Sequence, residues 1–254
     1  MAVRTNAVEA GLYLYGITVA QGAVPVEVPG VENGEVEQIA EGSLAAVVTR
    51  VTTHKIRPQR SNLAAHHHVL RDLADQQPIL PVAFGTIGNS EEQLREVLRA
   101  NHDVLLEQLQ RLRGKVEMGL KVYWDLPNVL EYFVATHQEL EAMRNRLFRP
   151  GRTPSVAERL ELGELFVSLL QQARQRHTRR VEEALAPYSV EVRVIDPGGE
   201  RMIMKLACLV EKDRQEHWEE GVRQAAMLFD DHYRFDYNGP WPPYNFADVD
   251  LQLT

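Results

Sequence analysis

From Lys115 to Asn238 the apolar pattern switches between two periods in an order that leaves few folds open. Val116 to Trp124 alternates as a strand does. Pro127 can open a helix, because a first-turn residue needs no N–H, and that helix is predicted to run to about Leu147. Arg149-Pro-Gly-Arg-Thr-Pro154 breaks it. Ser155-Val-Ala-Glu158 has the form of a capping box, and Val156, Leu160, Gly163, Val167 and Leu170 begin an apolar stripe towards Val181 and Leu185. A helix of about thirty residues is roughly 45 Å long. Tyr188 to Ile195 and Arg201 to Val210 read as strands around the hairpin turn Asp196-Pro-Gly-Gly199. Asp213 and Glu216 start a helix whose Trp218, Val222, Ala225 and Phe229 face inward. Finally Tyr233, Phe235 and Tyr237 alternate with Arg234 and Asp236 in a strand from 232 to 238. This βαββαβ order is that of a ferredoxin-like domain with its first helix doubled and lengthened.

The N-terminal half mixes the same elements in no named order. Leu12 to Ile17, Glu35 to Ile39, Leu44 to Val51 and Ile79 to Phe84 read as strands, and Ser61 to Gln76 as a helix. One long helix is predicted from Ser90-Glu-Glu-Gln93, another capping-box sequence, with Leu94, Leu98, Leu105, Leu109 and Leu112 on one stripe and Gly114 at its end. The predicted class is therefore α+β with two domains, residues 1–114 and 115–254. The second includes a tail dense in rings and prolines. Asn238-Gly239-Pro240 is turn chemistry that should stop the last strand, and Pro242-Pro243 lacks backbone donors. Trp241, Tyr244 and Phe246 are expected to clamp this tail onto the ferredoxin-like domain.

Composition narrows the function classes. The chain has 254 residues, 44% of them hydrophobic, ample for packed cores. No apolar run approaches the roughly 20 residues that span a bilayer, and Arg4 and Glu9 stand among polar residues where a signal peptide would be apolar. A cytoplasmic protein that engages no membrane is expected. The net charge of −8 argues against nucleic acid as a partner, since that affinity comes mainly from cations neutralising phosphates. Locally the balance reverses. Arg144, Arg146, Arg149, Arg152 and Arg159, then Arg174, Arg176, Arg179 and Arg180, make either a solvated helix surface or a docking face for an acidic partner. The single cysteine, Cys208, alternates with Met204, Leu206 and Val210 and reads as a buried structural thiol.

No catalytic, cofactor-binding or metal-binding set emerges. His66-His67-His68 occupy consecutive helical positions that diverge by about 100° each, so the three rings cannot converge on one ion. His66 or His67 is expected to pack at a helix–sheet boundary. His137 and Glu141, four apart on a predicted helix, read as a solvated pair. The segment Phe84-Gly-Thr-Ile-Gly-Asn-Ser90 precedes a helix start, where backbone donors can hold an anion, but it lacks a lysine and a third glycine.

Leu12-Tyr-Leu-Tyr-Gly-Ile17, Leu80-Pro-Val-Ala-Phe-Gly-Thr86, Leu120-Lys-Val-Tyr-Trp-Asp125 and Gly239-Pro-Trp-Pro-Pro-Tyr-Asn-Phe246 resemble, in sequence and in order, the gas vesicle protein F/L family. His66, Val69-Leu70 and Leu73 match the family's helical pattern ahead of the Leu-Pro-Val strand, whereas Ala83 stands where the family often has arginine. The resemblance implies a non-enzymatic accessory or minor structural protein of gas vesicle formation, associated with the vesicle. It also implies its partners, the small hydrophobic shell protein and other accessory proteins. In a ferredoxin-like sheet of order 4-1-3-2, residues 232–238 and 188–195 become edges able to accept a strand from another chain. The candidate partner-binding residues are Tyr233, Phe235, Tyr237, Trp241, Tyr244 and Phe246. Ala247 to Leu253 could instead fold back over that edge. A competing reading is an anion-binding or small-molecule-binding regulatory enzyme using the 84–90 loop and His66.

Overall fold

A computed structural model describes residues 11–20 and 28–248. It divides into two compact units: one holds the chain up to Glu117 together with the segment from Pro240, the other Met118–Gly239. The tail therefore belongs with the first unit, not with the ferredoxin-like domain as its place in the sequence suggested.

In the first unit, strands β1 (Gly11–Val19), β2 (Val36–Glu41), β3 (Leu44–Val51) and β4 (Ile79–Pro81) form a sheet of order β2-β3-β1-β4. Every residue of β1 is buried, as expected of a central strand. Its register against β3 shifts between Leu14 and Gly16, and a side chain at Gly16 would meet the Leu80 carbonyl at 2.6 Å. Only glycine allows β4 so close. A two-residue strand, β5 (Ile87–Gly88), also pairs with β1 and lies inside the Phe84–Ser90 segment, for which the sequence suggests no strand. Helix α1 (Arg60–Gln76) turns His66, Val69, Leu70 and Leu73 into the core.

The long helix expected after Ser90 is two helices, α2 (Glu91–Ala100) and α3 (His102–Leu112). Asn101 divides them: its backbone leaves helical geometry and its Nδ2 donates to the Val97 carbonyl at 2.9 Å. An asparagine that offers the backbone a local partner competes with helix continuation. Ser90 does cap α2, with its hydroxyl accepting from Gln93 N–H, and the leucine stripe is buried throughout. Gly114, at φ +69°, ends α3.

The second unit has the predicted ferredoxin-like order. Strands β6 (Lys115–Trp124, whose first residues belong to the first unit), β7 (Glu191–Ile195), β8 (Met202–Glu211) and β9 (Tyr233–Trp241) lie in the order β7-β8-β6-β9, placing β7 and β9 at the edges. Between β6 and β7 stand three helices, α4 (Val129–Thr136), α5 (Gln138–Leu147) and α6 (Val156–Leu185). The single helix expected to run to Leu147 is broken at His137, which takes an extended conformation with its ring stacked on Phe133, centroids 5.0 Å apart. His137 is thus a junction residue: its carbonyl accepts from Glu141 N–H at 3.0 Å, and no side-chain bond joins the two among the described residues. The Ser155–Glu158 capping box forms as predicted at the start of the thirty-residue α6.

The stripe expected to bury along α6 behaves differently in its two halves. Leu170, Val181 and Leu185 are buried, but Val156, Leu160 and Val167 are 65%, 62% and 52% exposed. The first half instead directs Leu162, Leu165, Phe166 and Leu169 at the core. Apolar spacing identifies faces of a helix that can be buried. Which one is buried depends on where α4 and α5 pack. Helix α7 (Gln215–Ala226) buries Trp218, Val222 and Ala225 as predicted, and Cys208 lies fully buried in the same core. Gly221 on α7 leaves room for Tyr188, since an added Cβ would sit 2.5 Å from its ring. Gly221→Ala is expected to destabilise the unit by about 1–3 kcal/mol through overpacking, read from denaturant unfolding.

Candidate partner-binding site

Strand β9 departs from its expected end. It passes through Asn238-Gly239-Pro240 and stops only at Trp241, with Gly239 at φ +133°. The ring-bearing residues grade from half-buried to open along its length. Tyr233 packs on Phe229 (4.9 Å between centroids) and His177 (5.1 Å), and its hydroxyl is 3.2 Å from His177 Nε2. Burial pushes its phenol up to about 12. Phe235 also packs on Phe229, at 5.4 Å. Tyr237 is 45% exposed and meets the buried Trp218 edge-on at 5.8 Å. The other face carries Arg234 over the Tyr123 ring at 4.8 Å and paired with Asp236 at 3.3 Å.

Backbone direction follows from one bond. The His232 carbonyl, just before β9, accepts from Asp125 N–H at 2.7 Å and so faces β6. Alternation then turns the N–H groups of Tyr233, Phe235 and Tyr237 away from β6, towards the edge that no strand pairs among the described residues. Tyr233 N–H is already bonded to the Asp230 carbonyl, consistent with that direction.

The three rings from Trp241 onwards do not act as one clamp. Trp241 is 41% exposed, whereas Phe246 is fully buried. Tyr244 is packed against the core of the first unit and lies edge-on to His67 at 6.2 Å, with burial raising its phenol pKa. Polar bonds fix the same segment to the first unit. Asn245 donates from its backbone and side chain to the buried Glu117 carboxylate, Arg111 donates to the Phe246 carbonyl at 2.6 Å, and Gln108 makes two bonds with the Asp248 backbone. Sequence shows that these rings need burial but not which core receives them. Residues 249–253, expected to fold back over the edge, lie outside the described residues.

Of the groups of the competing reading, His66 is built into the core. His66 is 1% exposed, stacked on Tyr15 and edge-on to Phe84. Its Nδ1 is 2.9 Å from the Tyr13 hydroxyl, which accepts from Gly85 N–H and so has its own proton to donate. Burial first, and the neighbouring His67 second, lower the His66 pKa to about 4, leaving the ring neutral near pH 7. In the 84–90 loop, Gly85 N–H is used by Tyr13, Thr86 N–H by the Ala83 carbonyl and Asn89 N–H by Gln93. These donors are occupied within the chain. Among the described residues no group of three or more His, Cys, Asp or Glu side chains has the arrangement to hold a metal ion, and no helix is long and apolar enough to cross a membrane.

Comparison with known proteins agrees with this architecture. The chain is 29% identical to gas vesicle protein F of Dolichospermum flosaquae over 242 residues, covering 94% of this chain and 98% of the relative. It is 26% identical to gas vesicle protein L of Streptomyces sp. strain CB03234 over 257 residues, covering 93% and 92%. The crystal structure of gas vesicle protein GvpF from Anabaena sp. PCC7120 superposes with a TM-score of 0.79 at 28% identity, covering 95% of this chain and 99% of that one. GvpF from Microcystis aeruginosa, at 23% identity and a TM-score of 0.80, shares the fold. The family model described as gas vesicle synthesis protein GvpL/GvpF matches residues 11–248, and the chain belongs to that family.

Proposed function

We propose that this protein is a non-enzymatic accessory or minor structural component of gas vesicle formation, associated with the vesicle in the cytoplasm. It binds the shell protein and other accessory proteins during nucleation and growth of the shell. The observation that carries the docking mode is β9, an edge strand whose outward N–H groups lie beside half-exposed rings. An extended segment of a partner can add to such an edge, with backbone bonds supplying affinity and the rings supplying specificity. Tyr233, Phe235 and Tyr237 shape that strand, and Trp241 lies at its end. Tyr244 and Phe246 contribute indirectly by holding the following segment.

Two substitutions at Tyr237 separate backbone from ring. Tyr237→Pro removes an outward donor at a largely exposed position, while Tyr237→Ala removes the ring and keeps the donor. Binding of purified shell and accessory proteins, measured by surface plasmon resonance, should weaken about tenfold or more for the proline variant and clearly less for the alanine variant. A correctly folded Tyr237→Pro protein with unchanged affinity would rule out this edge as the docking site.

A further inference from the structure

Helices α4, α5 and the first half of α6 enclose a groove of about 700 Å³ in the second unit, on residues separate from β9. Its apolar lining comes from Val134, Leu140 and Leu162 in the depth and from Leu130 and Phe148, which remain 47% and 55% exposed. Large apolar side chains left open beside a concave surface mark an interaction site more often than a surface accident. Its charged lining is Arg144, Arg149 and Glu131. Arg144 makes side-chain bonds only to Asn145, and neither arginine has a carboxylate partner among the described residues. A basic rim is unusual on a chain of net charge −8. It is maintained here although Glu139 and Glu141 lie on the same α5.

The geometry points to a second docking surface, in which this groove receives an acidic amphipathic helix of a partner protein. The partner's apolar residues at i, i+3 or i+4 and i+7 enter between Leu130 and Phe148, and its flanking carboxylates pair with Arg144 and Arg149. Helix-in-groove recognition uses that spacing, and the fork geometry of arginine suits carboxylates. Opposite charge across the rim selects acidic helices over basic ones and raises the association rate at low salt.

The test uses the whole protein and two fluorescein-labelled helical peptides with identical leucines, one with glutamates and one with lysines at the flanking positions. Fluorescence anisotropy should show the acidic peptide binding at least about tenfold more tightly at low salt. Arg144→Glu with Arg149→Glu should abolish that preference, and Phe148→Ala should weaken the acidic peptide. All three positions are on the surface, so circular dichroism should be unchanged. Equal binding of the two peptides, no binding of either, or an acidic preference that survives the double reversal would overturn the proposal. Sedimentation of the protein alone supplies one more contrary outcome: a wild-type dimer lost on double reversal would mean that a second copy fills the groove. The β9 edge is left intact by these variants, so failure here leaves the Tyr237 experiment unaffected.

Discussion

Phe246→Ala is expected to destabilise the protein by about 3–5 kcal/mol, the range for emptying a buried aromatic site. The ring is fully buried, and the surrounding segment is pinned by Arg111, Gln108 and Glu117, so the site can collapse only partially around the missing volume. Trp241→Ala is expected to cost about 1 kcal/mol or less, since surface substitutions generally act on that scale and the indole is 41% exposed. Urea unfolding of the two variants side by side measures the contrast. Equal losses would mean that the tail is held as one ring clamp, contrary to the exposure of Trp241.

The second large effect is a pH dependence from His66. Its ordinary value is 6.5 and burial lowers it to about 4. Between those values the unfolded chain binds more protons than the folded one, so stability rises with pH in that window. The contribution is complete above about pH 6.5, is lost as pH falls towards 4, and is on the order of 3 kcal/mol in total. His177, half-buried beside Arg176 and Arg180, also has a lowered pKa and contributes with the same sign. The His66 share is therefore read as a difference. Wild type and His66→Phe, each unfolded in urea at several pH values from 4.5 to 7, should differ in slope, with the flatter profile in the variant. Parallel profiles would mean that His66 carries its proton in the folded state despite its burial.

Much of the second unit was legible in the sequence because its elements announce themselves locally. Alternation in Val116–Trp124 and Tyr233–Tyr237 and the Ser155 capping box each depend on residues close in the chain, and all form as expected. Strands β7 and β8 do pair as a hairpin, but the pairing ends at Ile195 and Lys205, so their connection is wider than the turn expected at Asp196–Gly199. The breaks were harder. Asn101 and His137 interrupt patterns that remain periodic on both sides, so spacing alone carries no sign of them. Strand β5, two residues long, is too short to show a period and exists only through its pairing with β1.

The candidate site was legible as composition rather than as placement. Tyr233 and Phe235 use most of their rings internally, Tyr244 and Phe246 serve the first unit, and only Tyr237 and Trp241 keep a large share of surface. A ring-dense sequence states that aromatic surface must be buried somewhere, while the choice between core and partner is made by long-range packing. The groove between α4, α5 and α6 was foreshadowed only by its arginines. Its apolar half depends on which face of α6 turns inward.

The central claim is that this protein works in gas vesicle formation by contact along β9. Its most direct test is complementation of a gas-vesicle-forming host that lacks its own copy, with expression checked by antibody and vesicles measured by flotation. Wild type and Tyr237→Ala should restore floating vesicles, whereas Tyr237→Pro, present at the same level, should leave few or none. Full flotation with the proline variant would contradict the account.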